Sequence, residues 1–312
     1  VCSWTSIARA QLFTNYVTYS GEARVTTLGN LPPAVDSHTA QMTGHSFTEG
    51  VYLQRDFSAT QTDPGTGTAT GTASFNVSCY AQPGTLRVNA VGVASAITTV
   101  PYNFAGTSAN ANFGVVSASW ADTARLSVPL GVPGQSFTFH ADLYLDGSLD
   151  ANVSKSGAWG VGSSDLALAL TGSGLPPAPY AGGYWGRVVR DISNPANNRT
   201  ELPPTAIPVA IPMPNGEFVG FNYTMLVTGQ NLVSSQAGFL PPGFGTTDNF
   251  FSASFGQSLT WGGISSVTDT QTGLPVTDWT ITSESGFDYS QPAPEPASGL
   301  MVGMGCLSLA AI

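Results

Sequence analysis

Apolar and polar residues alternate along most of this chain with the two-residue period of a half-buried β-strand. The clearest run is 136–145, in which Phe137, Phe139, Ala141, Leu143 and Leu145 occupy every second position. Asp146-Gly147 then reads as a hairpin turn, with 148–153 returning as the partner strand. Similar alternation marks 72–80, 84–93, 115–126, 165–170, 217–228 and 279–284. Apart from an apolar run at the C-terminus, no long stretch carries a 3.6-residue period flanked by caps. Many strands at short spacing predict an all-β protein, an antiparallel β-sandwich or jelly roll. No fixed-period repeat suggests a propeller or solenoid.

Two segments interrupt the pattern. Residues 63–71 are a low-complexity Gly/Thr run, read as an exposed loop leading into a strand. Residues 194–216 carry Pro195, Pro203, Pro204, Pro208, Pro212 and Pro214. Prolines this dense exclude a central strand, so the segment is expected to be a long surface connection or a hinge between two lobes. A single domain over 11–290 is the preferred division.

Composition narrows the function classes. Of 312 residues only 9% are charged, and the net charge is −10; soluble domains average about 25% charged residues. The chain has one lysine, Lys155, so it lacks the basic footprint that nucleic-acid binding needs. The hydrophobic fraction of 42% suffices for a core without disulfides. The three cysteines, Cys2, Cys79 and Cys306, make no disulfide framework, and Cys79 reads as a small buried hydrophobe. Low charge with abundant Thr, Ser, Asn and Gly is the habit of exported β-proteins.

Both ends read as processing segments. Ala8-Arg9-Ala10 has the small-x-small form cut by signal peptidase, so 1–10 is expected to be the remnant of a signal peptide. Residues 291–298 contain Pro292, Pro294 and Pro296 and read as a stiff extended linker. The almost uncharged run 299–312 follows, apolar all round and suited to lipid, though shorter than the ~20 residues that span a bilayer. Pro294-Glu295-Pro296, Ala297-Ser298 and this run together resemble the PEP-CTERM sorting signal of Gram-negative bacteria. That signal continues into a basic cluster that is not found here, so 291–312 is read as a truncated sorting signal ending in a truncated transmembrane helix. The resemblance implies processing by exosortase, an integral-membrane transpeptidase-like enzyme. It also implies transient inner-membrane anchoring, then release to the cell surface or matrix in association with exopolysaccharide and biofilm. Residues 248–289, with Phe255 and Trp261, are similar to the membrane-proximal end of many such proteins. The segment from Gln291 onward is expected not to pack into the β core.

Candidate chemistry is sparse. No nucleophile elbow, P-loop or dinucleotide fingerprint is present, and no cofactor is expected. His38 and His45 lie in a Gly/Ser/Thr-rich stretch without further zinc ligands; His140 sits within an alternating strand. Asp142, Asp146 and Asp150 flank the expected Asp-Gly turn and are weak calcium candidates, more readily explained as a solvated edge. Tyr180, Tyr184 and Trp185 stand in a Gly-rich stretch and could stack on sugar faces or fill the core. Three function classes follow. The first is a non-enzymatic surface or matrix protein sorted by exosortase. The second is a glycan-binding jelly-roll module, which needs an exposed aromatic platform. The third is a carbohydrate-active enzyme, which needs two opposed carboxylates in a cleft.

Overall fold

The computed structural model describes residues 12–25, 34–44, 50–63, 67–98, 106–156, 160–236 and 245–293. The first eight strands are β1 (Leu12–Val25), β2 (Ala34–Gly44), β3 (Val51–Asp63), β4 (Gly67–Gln82), β5 (Thr85–Thr98), β6 (Gly106–Ser127), β7 (Ser136–Ser156) and β8 (Gly160–Gly172). They are followed by β9 (Gly186–Asp191), β10 (Arg199–Glu201), β11 (Ala206–Pro214), β12 (Phe218–Gln236), β13 (Gly245–Asp269), β14 (Pro275–Val276) and β15 (Thr280–Ser283). A single 3₁₀ turn, Pro195–Asn197, is the only helical element among the described residues. The all-β expectation is met.

Among the described residues every strand pairing is antiparallel, and the strands form two sheets. The first runs β10-β9-β8-β12-β6-β1-β2, with β15 also on β6; the second runs β11-β7-β13-β5-β4-β3, with β14 on β13. β4 and β5 lie over β6, and β5 also over β12. Side chains at alternate positions fill the space between the sheets, as a two-sided pleat requires. In β5, Leu86, Val88, Ala90, Ala94 and Ala96 are buried, and Gly92 leaves the inward position between them without a side chain. The buried amide of Asn231 on β12 uses that gap: its Nδ2 donates to the Gly92 carbonyl across the sheets at 2.9 Å.

Near the β4–β5 turn the core is aromatic. Trp120, Tyr223, Trp261 and Tyr289 are all at most 1% exposed, and the Trp261 and Tyr289 rings meet edge to face with centroids 5.4 Å apart. Tyr289 lies beyond the last strand, in a strap that binds both sheets. β15 pairs with residues 124–127 of β6 in the first sheet. The chain then reaches β13 of the second sheet: the Ile264 N–H donates to the Tyr289 carbonyl (3.2 Å) and the Ala293 N–H to the Trp261 carbonyl (2.7 Å). Two glycines make room for the strap. A Cβ on Gly263, whose φ is +85°, would lie 3.0 Å from the backbone between Gln291 and Pro292; one on Gly84 (φ +72°) would lie 2.5 Å from the Phe287 ring.

Four expectations need correction. Asp146-Gly147 does not turn: β7 runs straight through it, paired with β13 on both sides, and the irregularity falls on β13 between Ser254 and Ser258. Residues 67–71 of the Gly/Thr run are strand, paired with β3. The Pro-rich segment is not only a connection, because 206–214 is strand β11 at an open sheet edge; nor does it separate the body into lobes, since β12, which follows it, inserts between β8 and β6. Finally, 291–293 does not stand clear of the body: Ala293 is 9% exposed and belongs to the core. The expected signal-peptide remnant 1–10 and the motif Pro294-Glu295-Pro296 with its apolar run lie outside the described residues.

Candidate functional site

Four strands of the first sheet and the 3₁₀ turn build a polar cleft of about 270 Å³. Register dictates its plan. Asn110 of β6, Leu232 of β12, Ser163 of β8 and Asp191 of β9 stand opposite one another in one row. Two residues along, Gln230, Asp165 and Val189 form the next row. Rows two residues apart share one face of a sheet, so these side chains emerge together.

The rim is fixed by hydrogen bonds. Asp191 Oδ1 accepts from the N–H groups of Ser193 (2.8 Å) and Asn194 (3.0 Å), and Oδ2 from Asn197 Nδ2 (3.2 Å). This local Asx turn sets the 3₁₀ turn against the end of β9. The Asn194 N–H is the chief reason the Asp191 pKa lies below the ordinary value; burial opposes it, and the Asn197 amide and Ser193 add to the lowering. Asp165 is tied by a two-pronged bridge from Arg187, Nε to Oδ1 at 3.0 Å and a terminal nitrogen to Oδ2 at 2.6 Å. These bonds raise the Arg187 pKa, and its guanidinium also lies over the Tyr184 ring, 5.0 Å from the centroid. The side-chain amides of Asn110 and Gln230 remain open to the cleft.

The residues singled out from sequence fall elsewhere. Trp185 is 3% exposed, and its indole N–H donates to the Leu170 carbonyl at 3.1 Å. Tyr184 lies under Arg187, and the Tyr180 hydroxyl donates to the Leu202 carbonyl at 2.7 Å. The three rings therefore present no common flat face. The reason is local: Gly182 and Gly183, both with positive φ, fold a tight turn, after which the first step of the pleat drives Trp185 inward.

Asp142, Asp146 and Asp150 lie on one face of β7, but successive carboxylates are four residues, about 13 Å, apart along a straight strand. Among the described residues no group of three His, Cys, Asp or Glu could hold a metal ion. His140 Nε2 is 3.1 Å from the Thr268 hydroxyl, His38 on β2 stands opposite Gly21 on β1, and His45 lies outside the described residues. Cys79 is buried in the core, 2% exposed. Among the described residues no helix is long and apolar enough to cross a membrane.

Sequence reading did not single out the cleft. Its walls come from strands more than one hundred residues apart, and Asn, Gln and Ser on strands carry no local signature. The Asp191-x-Ser193-Asn194 turn was the single local sign. Comparison with known protein families, with curated proteins and with solved structures finds no match for the chain.

Proposed function

We propose that the chain is an exported, non-enzymatic surface or matrix protein. It is held transiently at the inner membrane by its C-terminal apolar run and released by exosortase at Pro294-Glu295-Pro296. One observation carries this reading: the motif and the apolar run 299–312 adjoin one another in the sequence. They begin immediately after Ala293, which is still hydrogen-bonded to Trp261 in the sandwich. The low charge and the all-β body fit a life outside the cell. An enzymatic reading fits less well. A glycosidase acid must hold its proton, which takes a raised pKa, whereas in the cleft Asp191 is shifted down and Asp165 is bound to Arg187.

The test replaces Pro294, Glu295 and Pro296 with alanine in the full-length protein, expressed in a host that carries exosortase. Wild type should reach the medium or matrix with a reduced mass, and the variant should stay in the inner-membrane fraction. Equal release of both forms at the same mass would overturn the sorting reading.

A further inference from the structure

We infer that the cleft on the outer face of the first sheet binds neutral pyranose residues of a polysaccharide. The inference does not depend on the sorting signal. The trough crosses from β6 to β9, three strand spacings or about 14 Å, and is two rows, about 7 Å, wide. Those dimensions take two sugar rings side by side and little more, and the volume of about 270 Å³ agrees.

The lining has the amphipathic character of a sugar. Each row sets one apolar side chain among polar ones: Leu232, 53% exposed, in the first and Val189 in the second. A pyranose offers the same combination, a C–H face ringed by hydroxyls. Asn110 and Gln230 supply amides that both donate and accept, which suits adjacent hydroxyl pairs. Asp191 and Asp165 accept only, and both are already oriented, by the Asx turn and by Arg187. Such preorganisation keeps the ordering cost of binding low.

Charge sets the class. Asp165 is balanced by Arg187, but Asp191 is held ionised and has hydrogen-bond donors rather than a cation around it. With a net charge of −10 on the chain, a polyuronate would be repelled, and a neutral glucan or similar hexose polymer would not.

The experiment titrates the protein with three neutral glucose hexasaccharides of different linkage and with an oligouronate of equal length, followed by amide chemical shifts. At least one neutral hexasaccharide should shift the resonances of Asn110, Ser163, Gln230 and Leu232 in a saturable way. The double variant N110A/Q230A, altered only at solvent-facing side chains, should weaken that binding at least tenfold. L232A should weaken it severalfold, and both variants should keep the wild-type far-ultraviolet spectrum. No shift with any neutral hexasaccharide, shifts confined to another face, unchanged affinity in N110A/Q230A, or equal binding of the oligouronate would each overturn the inference. None of these outcomes bears on release at Pro294-Glu295-Pro296.

Discussion

The Tyr289 hydroxyl donates to Asp122 Oδ2 at 2.8 Å, joining buried residues 167 positions apart. Asp122 belongs to β6 and Tyr289 to the strap, so this bond, with the Trp261 indole donating to the Tyr289 carbonyl at 2.8 Å, locks the strap between the sheets. Tyr289→Phe would keep the ring and leave the buried carboxylate oxygen without its donor. The expected loss is about 1–3 kcal/mol, read as a lower denaturant midpoint. Tyr289→Ala would also open a cavity and should lose about 3–5 kcal/mol.

Alkaline pH should weaken the fold through the same residue. Burial, aided by the neighbouring Asp122 charge, raises the Tyr289 pKa, and burial alone raises that of Tyr223. Both phenols stay protonated in the folded chain above the pH, near 10, at which the unfolded chain releases their protons. Stability from this source is complete below about pH 10 and declines as pH rises beyond it. Urea midpoints measured from about pH 8 to 11.5 should fall above pH 10, and the fall should be shallower in Tyr289→Phe.

Trp185 offers a test of packing against recognition. Trp185→Ala should cost about 3–5 kcal/mol of stability, the loss typical of a truncated core aromatic. A surface sugar-stacking ring would give an unchanged melting temperature, and that result would contradict the buried placement.

The open edge of β11 explains its prolines. The Ala210 N–H points away from β7 and donates to the Gly174 carbonyl at 3.1 Å. Main-chain groups alternate sides along a strand, so positions 208, 212 and 214 face the same open side, and proline there has no N–H to offer a stray strand. Pro208→Thr with Pro212→Thr should leave the monomer folded but create a sticky edge. Light scattering at rising concentration should detect dimers or larger species absent from wild type.

Much of the sandwich was legible as alternation, because burial on one side of a pleat imposes a period of two. The errors have physical causes that can be located. Leu145 and Leu149 are four apart and both buried. A two-residue hairpin at 146–147 would have placed them on opposite faces, so the phase already favoured a continuous strand over the Asp-Gly dipeptide. The prolines of 194–216 rightly argued against a central strand, yet their spacing of two and four also suited an edge. The cleft was not legible, since its shape depends on the register of four strands. Register is set by the whole sheet rather than by any one segment.

The strap also sets the order in which the molecule can be finished. Trp261, Phe221 and the Gly84 turn gain part of their cover from residues 287–293, and those residues are synthesised after the described strands. A growing chain can pair its strands but cannot complete its aromatic core until Tyr289, beyond the last described strand, has emerged. Contacts this distant in sequence also make closure slow. The last-made segment is thus the one that closes the sandwich, and a chain interrupted before Tyr289 would carry all the described strands yet lack the ring that joins β6 to β13.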